Sequence, residues 1–332
     1  MLLQTGRTWS AHIFRRDFPL NGGQCNRLRA PNVIDRTPND GVAQTFSTDP
    51  MNYRHVYHAG NFADVLKHAV LIAILEHLKQ KDKAFRVLDT HAGIGLYDLS
   101  SPMAQKTGEW RNGIGRIIDI TPSKQAAPLI APYLEIVREI NGAGPLTTYP
   151  GSPEITRRLM RPQDRLTLTE LHSADHATLA KRYAGDHQVR VVELDAWLAM
   201  GGFVPFKEKR GLVLIDPAFE EPDEYRTLAA GIFKATRRWM NGTYAAWYPI
   251  KDRKALDHFY RMMIDTGLRK MLKVEFNVAR NTRDGALKAC GMLILNPPFM
   301  LEEQLNGALP WLTRILAQGA GAAASVDWLV PE

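Results

Sequence analysis

The chain has 332 residues, 45% of them hydrophobic, with two cysteines and a formal net charge of +7. That length and apolar content suit one large globular domain or two ordinary ones, and no apolar run approaches the length of a membrane span. Cys25 and Cys290 form neither a C-x-x-C pair nor a metal-ligand spacing, so we expect a reduced, cytoplasmic setting and no metal, while the mild positive excess permits an anionic partner.

Residues 1–50 carry scattered Arg, Pro, Asn and Gly without sustained periodicity, and show neither a signal-peptide core nor a transit-peptide composition. They are expected to be a poorly ordered extension, or sequence upstream of a start at Met51. From Asn61 to Gln80 apolar residues recur at helical spacing. Asp64, Lys67 and His68 fall three and four apart on that helix, where a solvated polar face is the plain expectation.

A strand over Arg86–Thr90 then delivers Asp89 to a sheet edge and runs into the turn His91-Ala92-Gly93-Ile94-Gly95, whose glycines let backbone approach a ligand. The third glycine of a dinucleotide G-x-G-x-x-G is missing, since Asp98 occupies its place. About seventy residues separate this turn from the next strand, more than a crossover helix needs, which predicts a helical insertion over about 97–150. Its strongest helical pattern is Ala126–Ile140, and it closes at Pro150-Gly151-Ser152-Pro153, where Ser152 is expected to cap a following helix.

Further strands are predicted at Leu166–Glu170, Val189–Leu194, Leu212–Ile215, Thr243–Tyr248, Met271–Phe276 and Gly291–Leu295, with helical patterns such as Glu224–Trp239 and Lys254–Thr266 between them. A last short strand is expected at Val326–Val330. The alternation predicts an α/β fold with a doubly wound, mostly parallel sheet of seven strands.

Ligands in such folds lie at the carboxyl ends of the strands, so the acids there are the candidates: Asp89, Glu170, Asp195 and Asp216. Glu170 suits a ribose diol, and Asp195 the exocyclic amine of an adenine. Together with the glycine turn they outline an adenosine site. Asp216-Pro217-Ala218-Phe219 follows the fourth strand and suggests a reaction. An aromatic amine is a poor nucleophile and is helped by a carboxylate, by a proline carbonyl accepting its second hydrogen, and by a ring stacking the base. Asn296-Pro297-Pro298-Phe299 is closer in spelling to the [DNS]-P-P-[YFW] signature of amino-methyltransferases. It follows the last regular strand, however, its Asn is uncharged, and Pro-Pro there is ordinary strand termination.

The sequence resembles the bacterial 23S ribosomal RNA adenine N6-methyltransferases of the RlmJ type. The likeness runs from Met51 to Glu332, through M-N-Y-R-H-V-Y-H-A-G-N-F-A-D-V-L-K-H at 51–68, L-D-T-H-A-G-I-G at 88–95, Y-P-G-S-P at 149–153, L-T-E-L-H at 168–172, G-T-Y-A-A-W-Y-P at 242–249 and the terminal W-L-V-P-E. The resemblance implies a Rossmann-like class I methyltransferase domain over 51–332, S-adenosylmethionine as methyl donor, and an unpaired adenine of 23S RNA as acceptor. It places cofactor contacts on Lys67, His68, His91, Gly93, Ser152, Glu170, Asp195, Ala196 and Asp216, an RNA contact on Tyr53, and catalysis on Asp216, Pro217 and Phe219. A monomer is expected, with no membrane partner. Two departures stand out: D-P-A-F replaces the usual D-P-P-Y, and Asp195-Ala196 replaces the usual Asp-Gly. Competing readings are a DNA adenine N6-methyltransferase, since the tetrapeptide does not see the sugar, and a non-catalytic nucleic-acid-binding protein with a degenerate site.

Overall fold

Gly211–Ile215 is apolar and buried at every position, the mark of a central parallel strand covered on both faces. The strands are β1 (Arg86–Asp89), β2 (Leu96–Asp98), β3 (Thr148–Pro150), β4 (Arg165–Glu170), β5 (Val189–Glu193), β6 (Gly211–Ile215), β7 (Thr243–Pro249), β8 (Met271–Asn277), β9 (Ala289–Leu295) and β10 (Ala323–Val330). The helices are α1 (Phe62–Lys79), α2 (Pro102–Thr107), α3 (Ile114–Ile117), α4 (Ala127–Asn141), α5 (Ser152–Leu159), α6 (Ser173–Arg182), α7 (Ala196–Phe203), α8 (Glu224–Arg238), α9 (Arg253–Asp265) and α10 (Leu301–Leu316). The structure, a computed structural model, describes residues 54–281 and 285–332. The expectations for residues 1–50 and for Tyr53 lie outside the described residues.

Among the described residues the main sheet has eight strands, in the order β10-β8-β9-β7-β6-β1-β4-β5. The predicted terminal strand is longer than expected and joins the sheet as its eighth member, antiparallel to β8. From β5 through β7 the pairing is parallel, and β9 reverses against both β7 and β8. β1 lies between β4 and β6, so successive crossovers leave it in opposite directions. That is the switch point at which a doubly wound sheet opens a crevice beyond its carboxyl edge.

One core cluster packs α1, α4 and α10 against one face of the sheet, and a second packs α8 and α9 against the other. α1 is enclosed by α4, α5 and α10. Apart from Ala73, Glu76, His77 and Lys79, every residue of α1 is buried, Asp64, Lys67 and His68 included. The expected solvated face is therefore a set of charged and polar groups inside the protein. In the insertion, β2 pairs with β3 through Tyr97↔Tyr149, and α2, α3 and α4 lie between the two strands. α5 begins one residue earlier than predicted. Gly151 takes the cap position without a side-chain bond, so Ser152 is the first helical residue and not the cap.

Candidate active site

The site is built first from α1. Asn61 caps that helix, its Oδ1 accepting from the amides of Ala63 at 2.9 Å and Asp64 at 3.0 Å. The first two turns then project Asp64 and Lys67 towards the end of β6. Lys67 Nζ lies 2.8 Å from Asp64 Oδ1 and 2.5 Å from Asp216 Oδ2. Asp64 Oδ2 in turn meets His55 Nε2 at 2.9 Å and accepts from the Gly60 amide at 2.8 Å. Burial works against both charges on α1. The Asp216 and Asp64 carboxylates nevertheless raise Lys67 above its ordinary value, and His55 and Lys67 hold Asp64 well below the usual carboxylate range. Lys67 is thus an ammonium clamped between two acids, inside the protein.

One cavity opens beside this clamp along the glycine turn, lined by Gly93, Ser152, Glu170, His68 and His91, with Lys67 and Asp216 in its wall. Gly93 has φ +59°, and a Cβ there would stand 2.3 Å from the Tyr97 hydroxyl, so the turn needs glycine. Its amide donates to Glu170 Oε2 at 2.8 Å, and the His172 amide donates to Oε1 at 2.9 Å. The carboxylate has about four acceptor sites, so it keeps room for a ligand hydroxyl. Burial lowers His91 to about 4 and His68 to about 3, so both rings are neutral at neutral pH. His91 Nδ1 receives the Asp216 amide at 3.3 Å, and His68 Nδ1 lies 2.8 Å from the Tyr149 hydroxyl. Behind the wall, burial pushes Asp89 up to about 6 despite the Ser152 hydroxyl, and its Oδ2 has no hydrogen-bond partner among the described residues.

A second cavity lies on the other side of the clamp, lined by Asp64, Lys67, Asp216, Ala218, Trp247 and Lys251, with Glu109 contributed by the insertion. The two cavities share His55, Lys67, Asp216 and Ala218 as common wall. Phe219 lines neither of them. Its backbone has φ +54°, and its ring packs against Tyr225 and Trp247, with centroids 4.9 and 6.1 Å away. Trp247 is the aromatic residue that reaches the cavity, in place of the ring expected from Phe219. Asp195 and Ala196 also stand outside the lining. Asp195 caps α7, its Oδ1 accepting from the Trp197 and Leu198 amides at 3.0 and 2.9 Å. Asn296 is delivered to the opposite edge, because β9 runs antiparallel to β7 and Leu295 pairs with Tyr244, near the start of that strand.

A profile of the family described as "Ribosomal RNA large subunit methyltransferase D, RlmJ" matches residues 82–330. The chain belongs to the RlmJ family. It is 42% identical over 284 residues to the Escherichia coli K12 protein named "Ribosomal RNA large subunit methyltransferase J", covering 85% of this chain and all of that one. The Haemophilus influenzae protein of the same name is also 42% identical, over 283 residues, with 85% of this chain and all of that one covered. The crystal structure of protein LPL1258 from Legionella pneumophila superposes with a TM-score of 0.74 at 32% identity, covering 82% of this chain and 98% of that one. The fold is accordingly the Rossmann-like methyltransferase fold, and the enzyme is an rRNA methyltransferase using a methyl donor.

Among the described residues no helix is long and apolar enough to cross a membrane, and no group of three or more His, Cys, Asp or Glu is placed to hold a metal ion. For this RlmJ-family chain, sequence reasoning missed three parts of the site: His55, the pairing role of Asp64, and Trp247. Two signals pointed towards them. His55 and Asp64 stand inside the 51–68 block that carries the resemblance, and Trp247 lies in β7, the strand beside the one that Asp216 follows.

Proposed function

We propose that the enzyme transfers the methyl group of S-adenosylmethionine to N6 of an unpaired adenine in 23S ribosomal RNA. The observation that carries this reading is the shared wall: the glycine-turn cavity and the Trp247 cavity meet at Lys67 and Asp216. The glycine-turn cavity fits the donor. It sits at the switch point, its turn admits no Cβ at Gly93, and Glu170 presents acceptors for a diol. Gly93, Glu170, His91 and Ser152 would hold the donor there, with His68 behind it. When bound, S-adenosylmethionine supplies an electrophilic methyl on a sulfonium.

The chain's own residues prepare the acceptor. Lys67 holds Asp216 Oδ2, which leaves Oδ1 to accept a hydrogen from the adenine amine and so return electron density to N6. The Pro217 carbonyl is assigned to the second hydrogen, and Trp247 provides an aromatic wall for the base. The ammonium between Asp64 and Asp216 fixes the carboxylate before the base arrives, so positioning supplies much of the rate. An adenine must leave its stack to enter, and RNA is read mainly at such unpaired positions.

The test is to incubate the purified protein with labelled S-adenosylmethionine and either a 23S transcript or the matched DNA, then map N6-methyladenine in the products. Label in the RNA alone is expected. Label in DNA alone would make it a DNA enzyme, and donor binding without transfer to either would leave a binding protein.

A further inference from the structure

The motif left without a role at the active site is Asn296-Pro297-Pro298-Phe299, and its structure is unusual. Asn296 has φ +49°, and its side-chain amide donates to the carbonyls of Met240 at 2.9 Å and Gly242 at 2.8 Å. Its own amide donates to the Lys270 carbonyl at 2.9 Å. This bracket fixes the two prolines, and they present Phe299 with 86% of its surface exposed. Met240, Phe233 and Trp328 are exposed nearby, around two adjoining clefts that share Asn241, Lys270 and Asn296. The cleft on the Phe233 side is lined by Arg237, Arg269 and Lys270 and, among the described residues, by no carboxylate.

Exposed aromatic and apolar groups held on a rigid turn mark interaction surfaces, and the three cations set the sign of the partner. Stacking faces interleaved with cations suit single-stranded nucleic acid, whose bases stack while its phosphates are neutralised. The Phe299 cleft also holds two carboxylates: Glu302 accepts from the Trp328 indole at 2.8 Å, and Glu332 meets Lys270 in an exposed ion pair that a phosphate can replace at little cost. We propose that this edge of the sheet is a second RNA contact, where Phe299 stacks an unpaired base and Arg237, Arg269 and Lys270 take phosphates. The proposal rests on the RNA reading above. β7 separates the two sites by its length, about 20 Å at ~3.3 Å per residue, so an RNA touching both must extend well beyond the target base.

Direct binding of a 23S transcript, followed by fluorescence anisotropy without methyl donor, tests the surface, and methylation kinetics on the same transcript run beside it. Phe299→Ala and the double variant Arg237→Ala/Lys270→Ala should each weaken binding about tenfold and raise KM for RNA, with kcat and donor affinity unchanged. The double variant should also flatten the salt dependence by about two phosphate contacts, while Phe299→Trp should retain wild-type affinity. Variants that bind the transcript as tightly as wild type would overturn the proposal. So would variants impaired only on protein-containing large-subunit particles, because the surface would then read a ribosomal protein. A wild-type chain that binds the transcript yet methylates nothing would sink the functional reading alone.

Discussion

Two strands of one sheet end in similar tetrapeptides, D-P-A-F after β6 and N-P-P-F after β9, and the sheet sends them to opposite edges. β6 is parallel to β1, so Asp216 arrives at the switch point beside Asp89 and within reach of the buried Lys67. β9 is antiparallel, so Asn296 arrives where β7 begins and spends its hydrogen bonds on the loop before it. Spelling does not decide the chemistry of such a motif. Strand direction does, because it determines which neighbours the first residue meets.

The difference can be attacked from its most costly feature downwards. Lys67→Met leaves Asp64 and Asp216 facing each other without their shared cation, and removing one partner of a buried ion pair costs about 3–5 kcal/mol. Urea unfolding should show that loss, and the double variant Lys67→Met/Asp64→Asn should recover part of it. Asp216→Asn should leave Lys67 paired with Asp64 and the fold intact, yet cut turnover on RNA by about 10²–10³-fold, since it removes the anionic acceptor at the reacting amine. Near-normal turnover here, with abolished activity in Asn296→Ala, would reverse the assignment of the two ends.

Asp89 sharpens the contrast through pH. Its folded pKa of about 6 lies above the ordinary 3.8, so the folded protein holds a proton that the unfolded chain releases. Ionising it above pH 6 therefore costs stability, and the penalty fades as pH falls from 6 towards 4. Asp89→Asn mimics the protonated form and should stabilise the protein by about 3 kcal/mol at pH 7.5, a gain that shrinks below pH 6 in urea titrations. The smallest effect belongs to the far edge. Asn296→Ala removes two side-chain hydrogen bonds at a left-handed residue and should cost about 1–2 kcal/mol of stability, with kcat unchanged.

The doubly wound sheet and the placing of Asp216 at a strand end were legible because short Val, Leu and Ile runs alternate with helical patterns. What escaped the sequence was set by tertiary enclosure. Asp64, Lys67 and His68 have the spacing of a solvated face, and only the packing of α4, α5 and α10 around α1 turns that face inward. The roles of Asp195 and Phe219 depended on a turn of backbone. A carboxylate just before a helix caps it, and a phenylalanine at φ +54° swings its ring away from the direction its neighbours suggest. β10 was read as short because its alternating, half-exposed pattern carries little apolar weight, although its pairing with β8 begins at Ala323.

The β2–β3 ribbon has a consequence for how this enzyme can diverge. Asp98 pairs with Thr148, so everything between them leaves this two-stranded ribbon and returns to it at neighbouring positions. The cost of closing such a loop grows only logarithmically with its length. The loops of the segment can therefore lengthen or shorten without moving β1 or β4. Buried joints restrict exchange of the whole segment: α4 packs against α1 and α10 in the core, and Tyr149 bonds Tyr133 of α4 at 2.9 Å and His68 of α1 at 2.8 Å. A replacement segment that lacks a partner for that hydroxyl would disturb the floor of the glycine-turn cavity, so this hydroxyl is where a transplanted segment must match its host.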